Sequence, residues 1–344
     1  MKSNHSKKTG FFAPLLVLPF FVLGAFSVCD AQTANKYPPM GKLVDAGGHQ
    51  LHMNITGKGG PAVIMENGSG DFSFIWSLVQ PGVSKFTTAV SYDRAGFAWS
   101  EPGPFPRTGH QIAAELHTAL HNAGIKGPYI LVGQSFGGFL VRYFAKYYPD
   151  EVAGMVLVEA LNEDSRIIIN DKAVRIREMT QGRKVPKPQV WFKNNGKDDG
   201  KKDSIVMINE IEPPLDKLPD SIQKRQIWAQ NQPEYRKAYG SEMDWSPEEV
   251  QDLYLNKGKP GYTLGNKPLI VLTRGDGGYN GRVDSAEMEN ERLMLQEDLT
   301  HLSTNSKHLI DKNSGHNIHI EDPAFVIDAI RQVYDAVVNR SKLK

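Results

Sequence analysis

The stretch Tyr129-Ile130-Leu131-Val132-Gly133-Gln134-Ser135-Phe136-Gly137-Gly138-Phe139-Leu140-Val141-Arg142-Tyr143-Phe144-Ala145-Lys146-Tyr147-Tyr148 decides the fold. Residues 129–132 are an apolar run with the length and composition of a buried strand, and residues 139–148 read as a helix stopped by Pro149. Between them, Gly133 to Gly137 fit G-x-S-x-G. A strand that turns sharply into a helix presents the residue at its apex, here Ser135. So tight a turn leaves no room for side chains two residues to either side, which is the physical use of the glycines. Ser135 is therefore the candidate nucleophile.

Working outward, strands are expected at Lys42–Asp45 and, after a Gly-Gly turn, at 49–55, where apolar and polar residues alternate. Further strands are expected at 62–65, 88–92, 152–158, 268–273 and 308–310. Helices are expected at 109–123, which closes on Gly124, at 284–303, and from Pro323 onward, where Phe325, Ile327, Ile330, Val333, Tyr334 and Val337 recur on one side. Strands alternating with helices imply an α/β fold, a mostly parallel central sheet covered on both faces. Residues 161–263 differ. They are rich in Lys, Asp, Glu and Gln and show no strand pattern, only possible short helices at 206–212, 221–230 and 246–256; residues 193–204 read as an exposed, mobile loop. The chain thus divides into a core, 42–160 and 264–340, and a helical insertion, 161–263, expected over the carboxyl ends of the strands, where ligands bind in such sheets.

Lys2, Lys7 and Lys8 precede an apolar run at 11–28 and small residues around Cys29-Asp30-Ala31, the pattern of a secretory signal peptide over residues 1–31. The expected location is periplasmic or secreted; a membrane anchor, or a lipoprotein acylated at Cys29, are the alternatives. Cys29 is the only cysteine of the 344 residues, so cleavage after Ala31 would leave no disulfide, no thiol nucleophile and no cysteine-bound metal. A net charge of +1 gives no support to a nucleic-acid partner. The expected partner is a small-molecule substrate, with no membrane role beyond the signal segment.

A serine hydroxyl needs a base to take its proton. His316, in Asn313-Ser314-Gly315-His316-Asn317, sits in a loop between a late strand and the last helix and is the candidate base; His319 is near enough to line the site or to be a plain surface residue. His117 and His121 have a spacing that can bind metal, but a solvated helix face is the expected role. Two carboxylates are candidates for orienting the imidazole. Glu159 ends the strand after the elbow helix and is preferred for that position, and Asp276 lies just past the next strand. Donors to a developing oxyanion are expected at the amide of Phe136, which follows the nucleophile at a helix N-terminus, and at the amide of Ser69, in Glu66-Asn67-Gly68-Ser69-Gly70, with Gly70 as the alternative. Phe72, Phe74, Trp76, Trp99 and Phe136 are candidates for an apolar pocket wall.

These segments, with Tyr92-Asp93-Arg94-Ala95-Gly96-Phe97-Ala98-Trp99-Ser100, occur in an order that resembles the α/β-hydrolase fold superfamily. The resemblance covers about 42–160 and 264–340. It implies an enzyme with a Ser-His-acid triad that cleaves an ester or related acyl bond without cofactor or metal, beneath a helical cap formed by the insertion. In that family the acid usually follows the seventh strand, which points to Asp276, and in some relatives the sixth, which points to Glu159. The chain departs from the family at Asn67-Gly68, where His-Gly is usual, and at Gln134, where His is frequent. Hydrolysis of lactones, amides or carbon–carbon bonds, a perhydrolase, a proline-releasing peptidase and a non-catalytic ligand binder are the other readings such a chain allows.

Overall fold

Val63 and Met65 of one strand, Ile130 and Val132 of the next, and Val156 and Val158 of a third all lie in one apolar layer, while Ile64, Leu131, Met155 and Leu157 lie in another. That alternation is the signature of strands buried on both faces, and it explains why they read as unbroken apolar runs. The computed structural model describes residues 37–191, 207–275 and 277–343. In chain order its strands are β1 (Lys42–Asp45), β2 (Gln50–Thr56), β3 (Val63–Glu66), β4 (Ala89–Tyr92), β5 (Tyr129–Gln134), β6 (Val152–Val158), β7 (Arg166–Ile169), β8 (Lys172–Arg175), β9 (Leu269–Arg274) and β10 (Ser306–Asp311). Eight of them make one sheet in the order β1-β2-β4-β3-β5-β6-β9-β10. The β1–β2 and β2–β4 pairs are antiparallel and the remaining pairs parallel.

The helices are α1 (Gln80–Val83), α2 (Gly109–Asn122), α3 (Phe136–Tyr147), α4 (Asp220–Gln230), α5 (Pro233–Asn256), α6 (Ser285–Leu299), α7 (Ile318–Glu321) and α8 (Pro323–Val338). One face of the sheet is covered by Val326, Ile330 and Val333 of α8 with Ile75 and Trp76. The other is covered by Leu116 and Leu120 of α2 with Val141 and Phe144 of α3. Each fully buried Val, Leu or Ile contributes about 1.5–3 kcal/mol to such layers. Thr108 starts α2, its side chain accepting from the Gln111 amide at 3.1 Å.

Residues 161–263 depart from expectation in three places. The strand pattern is not absent: β7 and β8 form an antiparallel hairpin, turned by Asn170 and Asp171 at φ 47° and 61°. An Asn-Asp pair tolerates the left-handed conformation that a two-residue hairpin demands, and Ile167-Ile168-Ile169 supply the β-branched run. Residues 207–212 form no helix. Residues 246–256 are the second half of a 24-residue helix, α5, with Pro247 inside it. Proline has no N–H to give the Met243 carbonyl one turn back, and the Ser246 hydroxyl donates to that carbonyl instead, at 3.0 Å. Helix α5 packs on the core through Val250 and Leu253, which cluster with Ile112, Phe136, Phe139, Leu140, Tyr143 and Ile176. The signal segment 1–31 and the loop at 193–204 lie outside the described residues.

Candidate active site

Ser135 sits between the last residue of β5 and the first of α3, at φ 51° and ψ −119°. This backbone conformation is strained for any residue but glycine, and strain of this kind persists only where the surroundings enforce it. Here they do. The Ser135 amide donates to Val158 O at 3.1 Å, and its carbonyl accepts from Leu161 N at 2.9 Å and Gly138 N at 3.0 Å. A Cβ on Gly133 would stand 2.4 Å from Gly137 O, and one on Gly137 would stand 2.5 Å from Glu66 O and 2.6 Å from Asn67 O. The glycines therefore let the turn close on itself and on the loop after β3. Ser135 itself is half-buried.

That loop, Glu66 to Gly70, is held by one buried arginine. Arg94 donates from NH1 to Asn67 O at 3.0 Å and from NH2 to Gly68 O at 3.0 Å, and it pairs with Glu66 Oε1 at 2.9 Å and with Glu242 Oε1 of α5 at 2.9 Å. Tyr92 donates a short hydrogen bond to Glu66 Oε2. Burial pushes the Glu66 and Glu242 carboxyls up, and Arg94 opposes that shift at both. Asp93 accepts from Ser73 N at 2.6 Å and lies 2.8 Å from His52 Nδ1, so this pair of residues organises the turn. Phe136 opens α3 with its side chain buried, and Ser69 is exposed, its hydroxyl 3.3 Å from Met243 Sδ of α5. Phe72, Phe74 and Trp76 are fully buried in the core beside this loop, and Trp99 is half-buried.

The histidine loop reaches the elbow from the other side. Gln134 Nε2 donates to the His316 carbonyl at 3.4 Å, which joins the residue before Ser135 to the candidate base. Among the described residues, the Ser135 hydroxyl and the His316 ring share no hydrogen bond. His316 keeps contact with solvent, yet the packed atoms around its ring, then Arg274 and Arg292, push its pKa down to about 4. Its ring is accordingly neutral near pH 7, the form that accepts a proton. Glu159 follows β6 at φ 43° and is buried. Its carboxylate accepts from Arg274 N at 2.8 Å and from Arg292 NH1 at 3.2 Å, and lies 3.3 Å from Arg274 Nε. Burial pushes this carboxyl up, while Arg292 and Arg274 counter the shift. The structure thus gathers Glu159 and His316 around the same two guanidiniums, without a hydrogen bond between them. Asp276 lies outside the described residues; Gly275, just before it, packs so closely that a Cβ there would stand 2.6 Å from Lys312 O, at the root of the histidine loop.

His319 is not a surface residue. It is fully buried, lies tilted against Trp76 at 4.8 Å between ring centroids, and is pushed down to about 3 by burial and then by His316. The His117 ring stacks on Tyr148 at 4.0 Å, with Nε2 2.8 Å from Glu151 Oε1.

A family model described as the alpha/beta hydrolase fold matches residues 61–187, which hold β3, the loop after it, the elbow and Glu159. The chain has the α/β-hydrolase fold. Similar proteins include "Uncharacterized protein YqjL" of Bacillus subtilis (strain 168), 24% identical over 83% of this chain and 88% of that one. "Probable transporter efuK" of Hormonema carpetanum is 33% identical over 44% of this chain, which spans only 21% of that protein. Among solved structures, a thermophilic esterase from Thermogutta terrifontis superposes with a TM-score of 0.57 at 17% identity, covering 86% of this chain and 99% of that one. A likeness at that identity is a likeness of fold.

Sequence reading passed over four residues that lie beside the candidate site: Asp71, Glu242, Arg274 and Arg292. Arg94 and Glu242 meet across 148 positions, and Glu159 and Arg292 across 133, so no local spacing announces either pair. Asp71 had a faint local signal, being the first charged residue after the glycine-rich loop.

Proposed function

We propose that this protein is a serine hydrolase that cleaves an ester or related acyl bond of a small, largely apolar substrate. The observation that carries the reading is Ser135, held at φ 51° on a glycine-walled turn at the start of α3. Ser135 Oγ attacks the acyl carbon while the neutral His316 ring takes its proton. The oxyanion that forms is received by the amides of Phe136 and Ser69, the first at a helix N-terminus. His316 returns the proton to the leaving group, then activates the water that frees the acyl enzyme. Glu159 is the proposed acid, its carboxyl pushed up by burial while Arg292 and Arg274 favour the ionised form, with Asp276 as the alternative. Arg94 fixes the two carbonyls of the oxyanion loop, and so fixes where that loop's amides point. Residues 1–31 are assigned an export role in the same reading, tested by sequencing the amino terminus of the exported protein.

Turnover of a 4-nitrophenyl ester series from acetate to octanoate tests the chemistry. Ser135→Ala is expected to lower kcat on the order of 10⁵- to 10⁶-fold with the fold intact. Retention of wild-type turnover by that variant contradicts the reading.

A further inference from the structure

Asp71 is the one residue beside the oxyanion loop whose chemistry the proposed reaction leaves unused. Asp71 is half-buried, and its carboxylate forms no hydrogen bond or salt bridge among the described residues; burial pushes it up to about 6, and the charge of Arg94 opposes that shift. Its Oδ2 and the side-chain oxygen of Gln134 face the same bare edge of Gly68: a Cβ there would stand 3.0 Å from Asp71 Oδ2 and 2.2 Å from Gln134 Oε1. Gln134 is 1% exposed, and Oε1 has no hydrogen-bond partner, although the Nε2 of the same amide is engaged by His316 O. A buried amide oxygen left unpaired costs about 1–3 kcal/mol, so an oxygen in this position is built to receive a donor. Over the neighbouring Gly70 lie two rings of the cap helix α5. A Cβ on Gly70 would stand 2.8 Å from the Tyr235 hydroxyl and 3.5 Å from Tyr239 Cε2, and the two rings stack at 5.8 Å. Gln134 directly precedes the nucleophile in sequence, and its amide also reaches the histidine loop.

An anionic acceptor and a buried neutral acceptor meet at Gly68, and two aromatic rings lie over Gly70, two residues further along the loop. A hydroxyl or a carbonyl group cannot satisfy that set, because the first carries a single proton and no charge, and the second has no donor. A primary ammonium has both the positive charge and enough protons to serve both oxygens, and aromatic faces attract it further. We propose that Asp71 and Gln134 Oε1 form a subsite for a protonated amine on the substrate. The substrate class narrows accordingly, from a plain apolar ester to an acyl compound that carries an ammonium group near the bond cleaved. This narrowing rests on the hydrolase reading for its place in the reaction, while the subsite itself stands apart from catalysis.

The experiment is therefore a binding measurement on the whole mature chain that needs no turnover. Isothermal titration calorimetry compares hexylammonium with hexan-1-ol as probes, in wild type, Asp71→Asn and Asp71→Glu, with each variant's fold checked by its thermal midpoint. Wild type is expected to bind the ammonium at least about tenfold more tightly than the alcohol, the factor a charge-assisted hydrogen bond supplies. Asp71→Asn is expected to lose that preference and Asp71→Glu to keep much of it. Equal binding of the two probes by wild type, or an unchanged preference in Asp71→Asn, overturns the proposal, the first result meaning that the two oxygens hold water only. In parallel, hexylammonium is expected to compete with a 4-nitrophenyl ester in wild type. Binding without competition removes the ammonium from the substrate site and overturns the proposal as well. Absence of any ester turnover, with the ammonium preference intact, counts against the hydrolase reading alone.

Discussion

Two buried arginine networks flank Ser135, and they act on different things. On one side Arg94 grips the carbonyls of Asn67 and Gly68 and reaches Glu242 of α5, so its hydrogen bonds set the shape of a loop. On the other, Arg274 and Arg292 close on the Glu159 carboxylate and add to the burial that lowers the pKa of His316, so their charges bear on the state of a proton. The same residue type, equally buried, serves geometry in one place and protonation in the other. What separates them is that Arg94, besides pairing with Glu66 and Glu242, holds two carbonyls of the loop after β3, whereas Arg274 and Arg292 bring their charge to a histidine ring. Losses on the first side should therefore appear in stability and kcat together, and losses on the second in kcat and its pH dependence.

The largest expected effect comes from the acid. Glu159→Gln keeps the shape but removes the charge, and kcat for a nitrophenyl ester is expected to fall on the order of 10³- to 10⁴-fold, as when a triad carboxylate becomes an amide. Asp276→Asn is expected to cost far less. The reverse order would make Glu159 a structural partner of the arginines and Asp276 the acid. Next comes Arg94→Met, which strands Glu66 and Glu242 without their cation. Urea denaturation is expected to show a loss of about 3–5 kcal/mol, the range for breaking a buried pair by removing one partner, accompanied by a lower kcat. Unchanged stability would mean that the loop is held by something other than this arginine.

The elbow was legible because its physics is local. Gly133, Gly137 and Gly138 lie within three positions of Ser135, and the reasons for them are contacts with their own turn, the loop after β3 and the end of β6. The sheet was legible for a similar reason, since a strand buried on both faces has to be apolar along its length. The cap was not. Helix α5 runs through Pro247 only because Ser246 donates to Met243 O, a compensation that no propensity reveals. The β7–β8 hairpin is short and exposed, so Arg166, Lys172 and Arg175 mask its pattern. Both arginine networks join residues more than a hundred positions apart, and the partners become visible only once the chain is folded.

A smaller effect separates the two sides by titration. The His316 ring is pushed down to about 4 from the ordinary value of 6.5, and the base is the neutral form. Protonation disables it, so kcat/KM is expected to stay level from pH 8 to pH 5.5 and to fall only as pH approaches 4. Arg292→Gln removes one of the two charges beside the ring and is expected to move that limb upward, toward 6.5. A wild-type limb already at 6.5 would show that neither the packing around the ring nor the arginines shift the base. The smallest effect belongs to a half-buried arginine that packs against α5 from the segment before it. Arg183 lies 2.9 Å from the buried Glu248 and also pairs with the exposed Asp244. Arg183→Ala is expected to cost about 1–2 kcal/mol, less than Arg94→Met because solvent still reaches the guanidinium and Asp244. A loss as large as that of Arg94→Met would mean that burial is not what distinguishes the two arginines.

Labelling with a fluorophosphonate, followed by peptide mapping, reaches the central claim most directly, because it reports an activated serine without any knowledge of the substrate. The account predicts a single adduct on Ser135 in the native wild-type protein, none in Ser135→Ala, and labelling slowed at least about a thousandfold in His316→Ala, the scale on which triad members act as a unit. Native wild-type protein that stays unlabelled, or that labels equally fast without His316, would contradict it.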